Sequence, residues 1–275
     1  MSVLLQISDT HFGTEQPLVV EALVGLSSRL RPDLVVLSGD ITQRARPSQF
    51  LAAKAFVDRL GVPFLAIPGN HDIALFDLWA RLTRPYARYA KVFGAELEPV
   101  HSSQDMLVVC VNTTRAWRHK NGQVDTAQID GVATVLRSAS PRQLRVVVVH
   151  QPVAVPQASD RPNLLRGRGA ATRAWAAAGA DLVMGGHIHL PYTLPLPGLT
   201  RPLWVVQAGT AVSSRTRPAS ANSVNVVRWR EGPGATRTGA ATADAACCLI
   251  EQWDFVLRDQ VFMRVNVTAV RPHRS

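Results

Sequence analysis

Asn70 and His71 follow the apolar run Pro63-Phe64-Leu65-Ala66-Ile67 across a Pro68-Gly69 break, in the stretch Pro68-Gly69-Asn70-His71-Asp72. A carboxamide and an imidazole thus stand where a buried strand ends, the edge at which open α/β sheets gather their ligands. Taken alone, the turn reads equally well as a strand-to-helix loop with Asp72 capping a helix through Leu75, Leu78 and Leu82. Four further apolar runs end the same way, on Asp9 and His11, on Asp40, on His150, and on His187 and His189. Leaving His71 aside, these are two carboxylates, one amide oxygen and four imidazoles, all natural donors to divalent cations. Two sets of four follow if Asp40 bridges: Asp9, His11, Asp40 and His189 for one ion, and Asp40, Asn70, His150 and His187 for the other. A bridging carboxylate brings two cations to about 3.5–4 Å, the separation used for in-line attack at phosphorus. Individually, Asp9 could cap a turn, Asp40 could form an Asx turn and His150 could be a core histidine. Those readings do not explain why all five strand ends carry ligand-type residues.

The elements that must position them are legible in order. Val3–Ile7 is a buried strand, and Val19, Leu23, Leu26 and Leu30 mark an amphipathic helix after it. Leu34–Leu37 is a second strand, and Phe50, Ala53, Val57 and Leu60 a second helix with Ser48 as its N-cap. After the strand leading to Asn70, Leu75 to about Val92 reads as mostly helical, interrupted at Pro85. Met106–Val111 and Arg145–Val149 are strands separated by a helix entered near Asp125 or Thr126. Leu164–Ala178 is helical, and Leu182–Met184 is a short strand. Past it the character becomes β-rich: Pro202–Gln207, Ser223–Trp229, Leu249–Leu257 and Val261–Val267 read as strands, the last two a hairpin at Arg258-Asp259. The Gly-, Ala- and Thr-rich stretch 231–246 reads as a surface loop. Repeated βα units with a β-rich end predict a layered α/β sandwich forming one domain over residues 1–275, with 202–270 completing the second sheet.

Composition narrows the class. The chain has 275 residues, 47% hydrophobic and 18% charged, which is globular rather than disordered. No run of about 18 apolar residues predicts a transmembrane segment, and the N-terminus has no basic lead or signal-like stretch. Three cysteines, Cys110, Cys247 and Cys248, make no disulfide framework, so a cytoplasmic location is expected. Thirty Lys and Arg against 20 Asp and Glu give a net charge of +10, a field that favours anionic partners. A small phosphorylated substrate is the expected partner, with nucleic acid as the second candidate; a homodimer is compatible with the sequence.

Asp9-x-His11, Gly39-Asp40, Gly69-Asn70-His71-Asp72, His150 and Gly186-His187-x-His189 resemble, in order and spacing, the five motif blocks of calcineurin-like metallophosphoesterases, over about residues 3–210. The resemblance implies two mixed β-sheets packed face to face and flanked by helices, the metallo-dependent phosphatase fold. It implies two divalent metal ions (Mn, Fe or Zn) on the seven donors above, and places His71 on the scissile phosphate. Ile7-Ser8-Asp9-Thr10-His11 and His150-Gln151-Pro152 look most like the bacterial branch that includes 3′,5′-cyclic AMP phosphodiesterases. Here the Asp9–Asp40 segment is 31 positions (40 − 9) and runs through a compact Phe12-Gly13-Thr14-Glu15 turn, where those enzymes carry a longer insertion. The expected function is a phosphodiesterase on small nucleotide-type esters, by in-line attack of a metal-bridging hydroxide, with His71 protonating the leaving oxygen. Arg44, Arg115 and Arg118 lie on loops expected on the site side. The competing readings are a nuclease of the same fold, a sugar-nucleotide pyrophosphohydrolase and a non-catalytic scaffold.

Overall fold

The computed structural model describes residues 1–75, 77–230 and 247–273; the stretch 231–246, expected to be a surface loop, lies outside the described residues. The apolar runs form strands as expected: β1 (Ser2–Ile7), β2 (Leu34–Ser38), β3 (Phe64–Ile67), β5 (Met106–Cys110), β6 (Leu144–Val148), β7 (Leu182–Gly185) and β9 (Trp204–Gln207). Two short strands went unread, β4 (Val100–Ser102) and β8 (Tyr192–Pro195). Each is only three or four residues at the edge of its sheet, where half-exposed side chains leave little apolar signal. The last three strands are β10 (Ser223–Arg230), β11 (Cys247–Val256) and β12 (Val261–Val270).

The strands make two six-stranded mixed sheets, ordered β12-β11-β10-β1-β2-β3 and β4-β5-β6-β7-β9-β8. Within the first, β1, β2 and β3 are parallel; within the second, β5, β6, β7 and β9 are parallel. The β-rich end does not complete the second sheet as a unit. Among its described strands only β9 joins it, whereas β10 pairs antiparallel with β1 and extends the first sheet through β11 and β12. The free edge of β1 is the physical reason, since an unpaired edge of backbone donors and acceptors demands a partner.

Side-chain alternation divides the core into three layers. Leu4, Leu34, Val36 and Ile67 from the first sheet meet Val108, Val146, Val148 and Met184 from the second. Leu5, Ile7, Val35 and Leu37 face outward, onto Leu23 and Leu26 of α1 (Pro17–Leu30) and Phe50 and Val57 of α2 (Pro47–Leu60). Val109, Val147 and Val183 face Ile129 and Leu136 of α5 (Thr126–Arg137) and Trp175 of α6 (Arg168–Ala177). Helix, sheet, sheet and helix are thus stacked, and each fully buried aliphatic side chain contributes roughly 1.5–3 kcal/mol.

Helix ends differ from expectation where local chemistry overrides the apolar period. Ser48 is not the cap of α2. Pro47 occupies the first turn and Arg46 the capping position, because the fixed φ of proline suits the first helical residue. The stretch after Leu75 becomes two short helices, α3 (Leu78–Thr83), capped by the Asp77 side chain, and α4 (Ala87–Phe93). α6 begins at Arg168 rather than Leu164, since Gly167 sits at φ 85°, a left-handed conformation that breaks helical continuity. Asp125 does cap α5, accepting from the Gln128 N–H at 2.9 Å. No helix among the described residues is long and apolar enough to cross a membrane.

Candidate metal centre

Parallel register brings the chemistry-bearing strand ends to one edge. Ile7 pairs with Leu37, Ser38 with Ile67, and Val148 with Met184, so the residues that follow emerge side by side. A buried polar link joins the two sheets just beneath this edge. Gln6 donates to Ser38 Oγ (3.1 Å) and to the Gly185 carbonyl (2.9 Å), and Asn225 donates to Gln6 Oε1 (2.9 Å) and the Gln207 carbonyl (3.1 Å).

Six of the seven expected donors, Asp9, His11, Asp40, His150, His187 and His189, converge there together with His71, and Asn70 precedes His71 in the same turn. Three groups of ligand atoms lie within mutual reach: Asp9, His11 and His189; His11, Asp40 and His71; and Asp40, His150 and His187. Asp40 faces both ways, with Oδ2 3.8 Å from His11 Nε2 and Oδ1 3.3 Å from His150 Nε2. Asp9 Oδ1 is 3.3 Å from His189 Nε2 and 3.8 Å from His11 Nε2. The backbone is bent to achieve this. Asp9, His11, Asp40, His187 and His189 all have left-handed φ between 43° and 76°, a conformation costing roughly 1–2 kcal/mol per non-glycine residue. Such strain gathers where side-chain aim matters more than local comfort. Gly186 permits the approach of the two sheets, because a Cβ there would overlap Ser8 Oγ and Asp9 Oδ2.

The surroundings fix the orientation of the donor rings. His150 donates from Nδ1 to the Ser38 carbonyl (2.8 Å) and His189 from Nδ1 to the Arg215 carbonyl (2.5 Å). Each contact leaves Nε2 as the outward donor atom, the arrangement that orients metal-ligating histidines. His187 N–H donates to both oxygens of Asp9, and Asp40 Oδ1 accepts from His71 N–H at 2.8 Å.

The fit to cations rests on what these groups lack. His11 Nδ1, Asn70 Oδ1, His150 Nε2 and both ring nitrogens of His187 are buried without a hydrogen-bond partner. Leaving so many polar atoms unsatisfied costs about 1–3 kcal/mol each unless a ligand completes them, and a carboxylate–imidazole–carboxamide set suits divalent cations. The charges tell the same story. Burial holds the imidazoles of His11 and His187 down to about 3, so both stay neutral. Burial also opposes charge on Asp9, but the hydrogen bond and charge of His189 bring its carboxyl to about 2. Asp40 is held well below the usual range against its burial, chiefly by the charge of His150. Burial likewise opposes charge on His150, yet the charge of Asp40 lifts it to about 9. The two buried carboxylates therefore draw positive charge to themselves.

His71 stands at the rim, its ring 4.9 Å from that of His11. Its Nδ1 bonds the Gln43 carbonyl at 2.9 Å. A small cleft of about 120 Å³ opens beside it, bordered by Gln43, Arg44, Ile73, Leu75 and His119. Of the three arginines expected on the site side, Arg44 reaches this cleft. Arg115 is instead committed to the Asn112 and Thr114 carbonyls, Asp125 and Gln128, and Arg118 offers its carbonyl to Arg81.

Two residues beside the donors were not foreseen. Arg215 donates to Gln43 Oε1 (2.9 Å) and lies 3.3 Å from His71 Nε2. It follows the end of β9, whose Gln207-Ala208-Gly209-Thr210 sequence carries no carboxylate or imidazole to flag it. Asp72 caps no helix through Leu75–Leu82. It is buried, accepting from the Ile41 (3.0 Å), Thr42 (2.7 Å) and Gly69 (2.8 Å) N–H groups and from Thr42 Oγ1 (2.8 Å). It thereby ties the Asp40 loop to the Asn70-His71 turn. Burial and the charge of Asp40 push its carboxyl up to about 6.

Comparison with known proteins agrees with this geometry. The chain is 41% identical over 83 residues to a glycerophosphodiester phosphodiesterase of Enterobacter lignolyticus, covering 26% of this chain and 29% of that one. It is 26% identical over 204 residues to a cAMP/cGMP dual specificity phosphodiesterase of Mycobacterium tuberculosis, covering 68% of this chain and 61% of that one. The matched regions thus span less than two thirds of either relative. In fold, the chain superposes on a dimetal phosphatase from Danio rerio with a TM-score of 0.68 at 14% identity, covering 99% of each chain. Residues 2–191, carrying every one of the converging donors, match the family model described as calcineurin-like phosphoesterase, and the chain belongs to that family.

Proposed function

We propose that this protein is a dinuclear-metal phosphodiesterase acting on small, nucleotide-type phosphate esters, with residues 1–275 forming a single domain in the cytoplasm. The observation that carries the reading is the convergence of Asp9, His11, Asp40, His150, His187 and His189 in overlapping clusters linked through His11 and Asp40, with buried unpartnered atoms on His11, Asn70, His150 and His187. Asp9, His11, Asp40 and His189 would hold one cation; Asp40, Asn70, His150 and His187 would hold the other. Two divalent cations there, Mn, Fe or Zn, would neutralise phosphate charge and lower the pKa of water for attack at phosphorus.

The chain's own residues do the rest. Asp40 presents one carboxylate oxygen to each group, and the carbonyls of Ser38 and Arg215 fix the rings of His150 and His189. His71 is anchored through Nδ1 to the Gln43 carbonyl, so Nε2 is the atom that carries a proton to the leaving oxygen. Arg215, held on Gln43, puts a fixed positive charge where charge grows on the departing group. The two bacterial relatives are named for phosphodiester substrates, which supports a diester over a monoester. The single-domain reading is supported by the shared layer between the sheets and by the pairing of β10 with β1. The cytoplasmic reading is supported by three free cysteines.

The test is hydrolysis of bis-p-nitrophenyl phosphate, cyclic AMP and a glycerophosphodiester by purified protein supplied with Mn²⁺, with bound metal counted in parallel. Turnover of at least one diester, lost on chelation and restored by Mn²⁺, is expected. Protein holding two equivalents of metal yet turning over none of the three would overturn the reading.

A further inference from the structure

On the other flank of the donors from the His71 cleft lies a second recess of about 280 Å³, bordered by Lys120, Asp160, Asn163, Arg217, His187 and His189. Its walls carry an amine, a guanidinium and a carboxylate beside one apolar residue, Ile188, whereas the His71 cleft is lined in part by Ile73 and Leu75. Arg217 NH1 donates to both oxygens of Asp160 at 3.0 Å and NH2 to Gln157 Oε1 at 2.9 Å, so this wall is fixed and its charges cancel. Lys120 is different. Its carbonyl accepts from Gln151, but its ammonium has no ion-pair or hydrogen-bond partner among the described residues. Asn163, the last residue of a short 3-10 helix (Ala158–Asn163), has its side-chain oxygen buried without a partner. The recess therefore offers one uncompensated positive charge and one unsatisfied acceptor, a pair that calls for an anion and a hydroxyl on the same ligand.

A phosphodiester has two arms. The departing arm belongs beside the group that protonates it, His71, and the retained arm must lie elsewhere along the row of donors. We infer that the recess of Lys120 and Asn163 binds the retained arm, and that this arm is a hydroxylated group carrying a second anion, such as a phosphorylated glycerol or sugar. The inference rests on the phosphodiesterase reading. It separates acyclic diesters from cyclic monophosphates, which have one ring in place of two arms and no second anion to pair with Lys120.

Three diesters with the same p-nitrophenol leaving group and a methyl, glyceryl or phosphoglyceryl retained arm test it, because the chemistry stays constant while the arm changes. At fixed salt, kcat/KM should rise several-fold from methyl to glyceryl and about tenfold more to phosphoglyceryl, mainly through KM. Lys120→Met should erase the phosphate increment and Lys120→Arg should keep most of it, whereas Asn163→Leu should erase the hydroxyl increment. Lys120 is exposed, so its substitutions do not threaten the fold, and a thermal melt of Asn163→Leu, which is half-buried, checks that its loss is not unfolding. Equal rates on all three diesters, or a phosphate increment that survives Lys120→Met, would overturn the assignment. If none of the diesters is hydrolysed, the phosphodiesterase reading fails separately, and equilibrium dialysis of glycerol 1,3-bisphosphate then decides the recess. Binding about tenfold weaker to Lys120→Met than to the unmodified protein upholds it, and equal binding overturns it.

Discussion

In the proposed reaction His71 and Asp40 do different work, and single substitutions separate them. An acid at His71 matters in proportion to how badly the leaving group needs a proton. An alkoxide leaves poorly without one, whereas p-nitrophenolate is stable unaided. His71→Asn should therefore cost about 10²–10⁴-fold on an alkyl phosphodiester, and at least tenfold less on bis-p-nitrophenyl phosphate, with bound metal unchanged. Equal losses on both substrates would make His71 an electrostatic contact rather than an acid. Lost metal would make it a ligand, a role its place in the cluster with His11 and Asp40 allows geometrically. Asp40 is the residue with an oxygen toward each donor group, so Asp40→Ala should abolish turnover and weaken both sites. Elemental analysis reads this directly, and retention of about two tightly held equivalents would exclude Asp40 as the bridge.

At the scale of the element, the turn Gly69–Asp72 and the loop after β2 behave as one unit. Asp72 receives four hydrogen bonds, three of them from backbone N–H groups on both segments. Gly69 lets the segments touch, since a Cβ there would overlap the Asp40 backbone nitrogen. Removing the Asp72 carboxylate leaves buried N–H groups unpaired, so Asp72→Ala should destabilise the fold by roughly 2–4 kcal/mol. Metal affinity should fall with it, because Asp40 and Asn70 lose their mutual alignment. Denaturant unfolding and metal titration measure the two effects. A variant of unchanged stability and affinity would mean that the two segments are held by packing alone. Gly186→Ala acts at the other contact between strand ends and should lower metal content, while backbone circular dichroism stays near that of the unmodified protein.

For the whole molecule, the net charge of +10 acts over a Debye length and draws any phosphate ester inward. If the substrates are small, raising salt from about 50 to 200 mM should lower kcat/KM by a few-fold at most, since few charges are neutralised on binding. A drop of about 10³ or more is the signature of the many phosphate contacts made by a nucleic-acid binder, and would put the nuclease reading first.

The sequence by itself determined the strands and the candidate ligand residues at their ends. Asp9, His11, Asp40, Asn70, His150, His187 and His189 are readable because each follows, within a few residues, a run of aliphatic residues, and a strand buried on both faces leaves an unmistakable apolar run. Caps announced by side-chain chemistry were readable too, as at Asp125. What only the tertiary structure decided depends on residues far apart in the chain. Arg215, Lys120 and Asn163 sit on loops whose sequences have no period and no motif, and they acquire meaning only from the neighbours that folding supplies. The destination of β10–β12 was hidden for the same reason, because a strand's own pattern says that it pairs and not with which edge. Asp72 shows the limit most plainly. In sequence it looks like a helix cap, and in space it joins two strand ends, because hydrogen-bond partners thirty residues away are invisible to local spacing.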